Sequence, residues 1–198
     1  HMRHTHIGHA PVFAQRLSFT GETGWEIFVT PDFAEHVLEI ILKAGQPLGL
    51  RLAGGEALNA LRIEKGFLHW GADMAYTEAP YQLGLDFICK PGKTLPFIGQ
   101  DACLARKADP KGPCLRSVRL ADPDAILHHN EPVLRDGQII GFVTSGAFCA
   151  MQKAAVGLCL VSPPDGAGGF EAVEDGPCSV MVEGREVPAE LRRKPFGA

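Results

Sequence analysis

The sequence predicts an α+β chain: an antiparallel sheet with helices, followed by a small C-terminal β-barrel. Strand-like and helix-like apolar spacings alternate through the first half, and the helical period vanishes after the KADPKGP stretch at residues 107–113. From there on, short β-branched runs are cut by Asp-Gly, Glu-Gly and Pro-rich turns, the spacing of a small barrel or sandwich. The compositional break gives expected domains at 1–110 and 111–198.

Residues 12–20, VFAQRLSFT, read as a strand half-buried on one face. The next stretch, FTGETGWEIF at 19–28, reads as strand, glycine turn and strand, with Gly21 and Gly24 letting the backbone turn and so fixing Glu22 and Glu26 around it. The second strand is expected at 25–30. Pro31 and Asp32 open a helix that carries Phe33, Val37, Ile40, Ile41 and Ala44 at helical spacing, and Gly45 stops it. A second helix lies in EALNALRIEKG, with Ala57, Leu58 and Leu61 along one stripe and Gly66 past its end. Arg62 falls at helical spacing from Leu58, so its guanidinium must find an acid or reach a cleft.

FLHWGADMAYTEAPYQLGLDF is dense in aromatics, Gly and Pro, which predicts irregular backbone lining a cavity. A short strand at 85–89 and a helix at 99–106 close this part. The barrel strands are expected at 114–120, 132–135, 139–144, 154–161, 178–182 and 185–187, with hairpin turns at Asp136-Gly137 and Glu183-Gly184.

A net charge of −4 supplies no field that would attract phosphates, so nucleic acid is not an expected partner. The basic Arg192-Arg193-Lys194 cluster reads as a solvated tail. No C-x-x-C pair occurs among the six cysteines, which read as reduced thiols of a cytoplasmic compartment and not as a metal site or disulfide framework. His1, His4, His6 and His9 crowd the start, where His1-Met2 looks like the remnant of a tag, and a disordered or solvated end is expected. Apolar runs fall far short of the roughly 20 residues that span a bilayer, so no membrane partner is expected. No signal peptide is visible.

Candidate chemistry is sparse. A carboxylate at Glu26 is either an oriented acceptor for the NH-rich edge of a flat heterocycle, such as the amino-pyrimidinone face of a pterin, or a hairpin acid facing water. His69 beside Trp70 is either a polar handle in a pocket or a hydrogen-bonded core histidine. Glu64 and Lys65 read as exposed helix charges, His128 and His129 as a loop at the barrel rim. GAGGF at 166–170 has no strand before it and no helix after it, so it reads as a surface loop and not a dinucleotide site. No catalytic or metal-ligating residue is assigned.

The strings IGHAPV, FTGETGWEIFV, ALNALRIEKGFLHWGAD, EAPYQLGLDF, PFIGQDA, HHNEPVLRDGQIIGFVTSG and AAVGL occur in an order that resembles the folate-dependent aminomethyltransferase family. That family includes the T-protein of glycine cleavage and the C-terminal folate-binding region of dimethylglycine and sarcosine dehydrogenases and oxidases; RIEKGFLHWGAD looks closer to the dehydrogenase branch. The resemblance implies a partial aminomethyltransferase folate-binding fold and tetrahydrofolate as cofactor, with FAD only in a missing upstream region. It places the pterin-binding glutamate on Glu26 and the ring along the folate on Phe19, where relatives usually carry Tyr and hence a further hydroxyl. Arg62, Trp70 and Phe87 take the family's arginine and two further rings. Rings would cover the heterocycle, the carboxylate would read its donors, and the cation would meet the cofactor's acidic end or fix the glutamate.

Members of the family have a folate-binding region about double this length. The part missing before Ile7 contains the aspartate that helps activate the folate nitrogen, a part that no acid here takes. After FVTSG relatives continue with an aromatic, Gly and His, where this chain has AFCAMQK. The expectation is therefore a fragment, inactive alone, of a dimethylglycine or sarcosine dehydrogenase-like enzyme. A flavin region would oxidise an N-methyl amine to an iminium, and this region would hold tetrahydrofolate to capture the carbon as methylene-tetrahydrofolate. The alternatives are a T-protein-like aminomethyltransferase fed by a lipoyl carrier, and a non-catalytic interaction module of the same fold. Expected partners are the folate, the missing N-terminal region and, through exposed apolar surface, a second copy of the chain.

Overall fold

In the strand Ala10–Gln15 the side chains of Ala10, Val12 and Ala14 are buried while those between are more exposed, the period of two that puts one face of a strand on a core. The computed structural model that shows this describes residues 1–90, 92, 93, 95–109, 112–163, 173 and 175–197. The GAGGF stretch at 166–170 lies outside the described residues. The chain forms two compact units, His1–Leu58 and Asn59–Ala198.

The first unit has an antiparallel sheet in the order β1 (Met2–Ile7), β2 (Ala10–Gln15), β3 (Glu26–Phe28). Helix α1 (Pro31–Gly45) matches the sequence expectation, with Pro in its first turn, Asp32 near the positive end of the helix dipole and Lys43 near the negative end. Its Val37 packs with Ala10 and Val12 of β2, flanked by Ile7, Ile27, Phe33 and Ile41.

Three expectations change here. The histidine-rich start is an ordered strand: β1 pairs with β2 from Met2↔Gln15 to Ile7↔Ala10, and the His4 ring lies 4.9 Å from that of Phe13. Its exposed side chains hid a backbone that hydrogen-bonds fully on one edge. The strand expected at 12–20 ends at Gln15, and its partner spans only Glu26–Phe28, so residues 16–25 form a loop and not a tight hairpin. Gly21 has the left-handed φ of +78° that the turn reading requires, whereas Gly24 serves a close approach: a Cβ there would lie 3.3 Å from Ser18 Cβ.

Helix α2 (Gly55–Glu64) fulfils the second helix expectation. Past it the backbone is irregular, as its composition predicts. The strand expected at 85–89 is instead a run of turns, in which the Ile88 N–H donates to Leu85 O and the Cys89 N–H to Asp86 O, both at 3.0 Å, so no edge is left for pairing. Helix α3 (Gln100–Ala108) follows.

Six strands then close a barrel: β4 (Cys114–Leu120), β5 (Pro132–Arg135), β6 (Gln138–Cys149), β7 (Ala154–Val161), β8 (Gly176–Val182) and β9 (Arg185–Arg192), in the order β4-β7-β6-β5-β8-β9 with β9 pairing back to β4. Closure removes the free edges. Asp136-Gly137 and Glu183-Gly184 all have φ between 48° and 77°, the primed turn expected of two-residue hairpins. Strand β9 runs past the expected stop at Pro188 because that residue is needed only as an acceptor; its carbonyl takes the Ala121 N–H at 2.8 Å. Val118, Leu127, Val133, Val143, Val161, Val180 and Leu191 fill the interior, each such side chain stabilising the fold by about 1.5–3 kcal/mol. Arg116 is also fully buried, donating to Leu115 O at 2.7 Å and to Val173 O, and burial lowers its pKa. All six cysteines are free thiols, as expected. Among the described residues no helix is long and apolar enough to cross a membrane.

Candidate functional site

Glu26 sits at the start of β3 opposite Gln15, whose side-chain amide donates to Glu26 Oε2 at 3.0 Å. The cross-strand pair fixes the carboxylate, which is half-buried. Phe19 lies half-buried in the 16–25 loop, which is pinned locally by a 3.1 Å hydrogen bond between the Ser18 and Thr20 hydroxyls.

In the second unit, Arg62 finds its acid. Its side chain is 2% exposed, and Nη1 forms an ion pair with Asp73 Oδ2. Nη2 donates to Ser145 Oγ at 2.7 Å, Nε to Asn59 Oδ1 at 2.9 Å and Nη1 to Phe67 O at 3.2 Å. Asp73, with no exposed surface, is the hub that sequence reasoning missed. It accepts from the Arg62 guanidinium, the His69 N–H at 2.9 Å, and the Thr144 and Ser145 hydroxyls at 2.6 Å each. Adjacent strand residues normally face opposite sides, but the β6–β7 register shifts between Val143 and Ser145, and this irregularity lets both hydroxyls reach one carboxylate. A charge pair buried with this many hydrogen bonds is satisfied; one partner alone would not be.

The network organises the loop that follows α2. The Asp73 N–H donates to His69 O and the Gly71 N–H to Met74 O at 2.8 Å, making a compact turn with Trp70 standing out from it, 63% exposed. His69 is thereby neither a core histidine nor buried: its side is exposed and its backbone carries the structural bond. Phe87 is 70% exposed on the 85–89 turns. Glu64 departs from expectation. It is buried, its Oε1 has no partner among the described residues, and its backbone O takes the Gly197 N–H at 2.9 Å. Burial of the Cys149 side chain, and second the charge of Glu64 near it, push that thiol up to about 12.

The structure thus brings Arg62 and the Trp70 loop into one network in the second unit, while Glu26 and Phe19 belong to the sheet unit. Among the described residues no group of three or more metal-binding side chains occurs.

Comparison with known proteins decides the family. Residues 1–93 match the GCVT N-terminal domain and residues 114–197 the glycine cleavage T-protein C-terminal barrel domain. The chain belongs to the aminomethyltransferase, or glycine cleavage T-protein, family. Within it, 4-methylaminobutanoate oxidase (formaldehyde-forming) of Paenarthrobacter nicotinovorans is 40% identical over 99% of this chain and 23% of its own length. Mitochondrial dimethylglycine dehydrogenase of Rattus norvegicus is 38% identical over 75% of this chain and 17% of its own. The chain therefore spans less than a quarter of the length of these aminomethyltransferase-family relatives. Aminomethyltransferase T from Bartonella henselae, 22% identical, has the same fold with a TM-score of 0.79 over 93% of this chain and 49% of that one. The match to the family's barrel domain begins at residue 114, where β4 begins.

Proposed function

We propose that this chain is part of the tetrahydrofolate-binding, one-carbon-transfer region of a dimethylglycine or sarcosine dehydrogenase-like enzyme. Glu26 carries the reading. Its carboxylate is held at one oxygen by the Gln15 amide and is not consumed by an ion pair among the described residues, so it retains acceptor capacity for a planar donor edge. Within the sheet unit the donor set suits a pterin edge: an oriented carboxylate at Glu26 and a half-buried ring at Phe19; the second unit, by itself, exposes the rings of Trp70 and Phe87. Tetrahydrofolate, when bound, supplies nitrogen nucleophiles for a one-carbon unit. This chain's part is to bind and orient: in the sheet unit Glu26 reads the donors, and in the second unit Arg62 holds the Trp70 turn through Asp73.

The N-methyl amine branch is favoured over a lipoyl-fed transferase by the likeness to two relatives, an oxidase of 4-methylaminobutanoate and a dehydrogenase of dimethylglycine. In the whole protein a flavin region upstream would then generate the electrophile. Free thiols at all six cysteines support a reducing, cytoplasm-type compartment. Exposed Trp25, Phe28, Leu48 and Leu52 support self-association; a monomer in concentrated sedimentation runs would remove that part.

Calorimetric titration with tetrahydrofolate tests the reading, best in a chain that includes the upstream reading frame. Glu26→Gln should weaken binding roughly 10- to 150-fold, the equivalent of about 1.5–3 kcal/mol for hydrogen bonds to a charged group. It should leave the melting temperature unchanged. Unaltered affinity would take Glu26 out of the site.

A further inference from the structure

The geometry points to Cys89 and Cys103 as a dithiol that a small hydroperoxide oxidises to a reversible disulfide, clamping the Phe87 turn onto α3. The two residues are 14 apart in sequence, and Cys103 Sγ donates to Cys89 Sγ at 3.6 Å. The two sulfurs are thus in contact and have only to close to the bonding distance of about 2 Å. Both thiols are partly accessible, unlike the buried thiols of Cys114, Cys149 and Cys159. The same two elements are already tied by the Lys107–Asp86 ion pair at 2.8 Å, so oxidation would lock an arrangement the reduced protein has.

Both cysteines line a hollow of about 30 Å³ with Tyr81, Asp86, Phe97 and Lys107. That volume is enough to seat one molecule the size of water. Tyr81, 7% exposed, lines the same hollow, and its hydroxyl has no hydrogen-bond partner among the described residues.

The chemistry balances with peroxide as the sole co-reactant. Cys89, as thiolate, attacks one peroxide oxygen; the O–O bond breaks, a sulfenic acid forms, and the departing hydroxide takes a proton and leaves as water. The Cys103 sulfur then attacks the Cys89 sulfur, the S–O bond breaks and a second water leaves. Two thiols lose two electrons to the peroxide. Burial first, and then the hydrogen bond and charge of Cys89, push the Cys103 thiol up, so Cys103 is not the thiol that attacks the peroxide first. A dithiol reductant reverses the bond.

The test treats the reduced full chain with equimolar hydrogen peroxide and maps its thiols by mass spectrometry. The expected product has lost two hydrogens, contains a peptide joining Cys89 to Cys103, and retains four of the six free thiols. Hydrogen exchange at residues 85–90 slows, and dithiothreitol restores the starting state. Cys103→Ser should stop at a sulfenic acid on Cys89 that dimedone traps; Cys89→Ser should give neither product. Survival of all six thiols, a bond between two chains, or oxidation spread over the other cysteines would overturn the assignment. None of these readouts involves folate, so the dithiol stands or falls apart from the proposed function.

Discussion

In the barrel, six strands turn their valines and leucines toward one interior, and a cluster of 17 buried apolar residues results; the sheet and α1 share a cluster of only three, Ala10, Val12 and Val37. The difference follows from topology. A closed sheet covers its own inner face, whereas a three-stranded open sheet with one helix covers only part of it and leaves Trp25 and Phe28 exposed. Stability therefore concentrates in the second unit.

The strongest test of that contrast is the buried charge pair. Asp73→Ala leaves the Arg62 charge buried without its carboxylate and removes one acceptor from each of the Thr144 and Ser145 hydroxyls, and should cost about 3–5 kcal/mol in guanidinium denaturation. Replacing both residues with apolar ones should recover part of that loss, since the unpaired charge goes with them; equal damage in the double variant would mean that the hydroxyls, and not the charge, dominate.

Next comes packing. Leu191→Ala, in the barrel interior, should cost about 2–5 kcal/mol, while Ile41→Val beside the small sheet cluster should cost about 0.5 kcal/mol. Comparable losses at the two sites would erase the distinction.

The smallest effect is alkaline. Cys149 and Cys178 have thiols raised, mainly by burial, from 9.0 to about 12 and about 11. In the unfolded chain they ionise near the ordinary value, so the folded state binds more protons above it and loses stability as pH climbs. Chemical denaturation midpoints should be flat below about pH 9 and should decline between pH 9 and 11. Cys149→Ala should make that decline shallower.

What the sequence made legible follows the same divide. Both long helices and all six barrel strands could be read, because period and turn chemistry are local: Pro31 to Gly45, Asp136-Gly137 and Glu183-Gly184 declare themselves. The N-terminal strand could not be, since MRHTHI turns mostly polar side chains to water and gains its place from hydrogen bonds to β2. Residues 85–89 carried apolar strand character yet fold as turns. At the candidate site, helical spacing made legible only that the Arg62 guanidinium must find an acid or a cleft, while the role expected of Glu26 came from the family resemblance. Asp73 was hidden within GAD, and its signal, the Thr144-Ser145 pair, lies 71 residues away on a strand whose irregularity no periodicity announces.

That irregularity gives β6 a second role. Because two consecutive hydroxyls grip the same carboxylate that holds the His69 amide, the Trp70 turn cannot swing outward without releasing the barrel wall. Any motion of that indole is thus geared to a strand deep in the sequence, and the amides of His69 and Ser145 should open to solvent together.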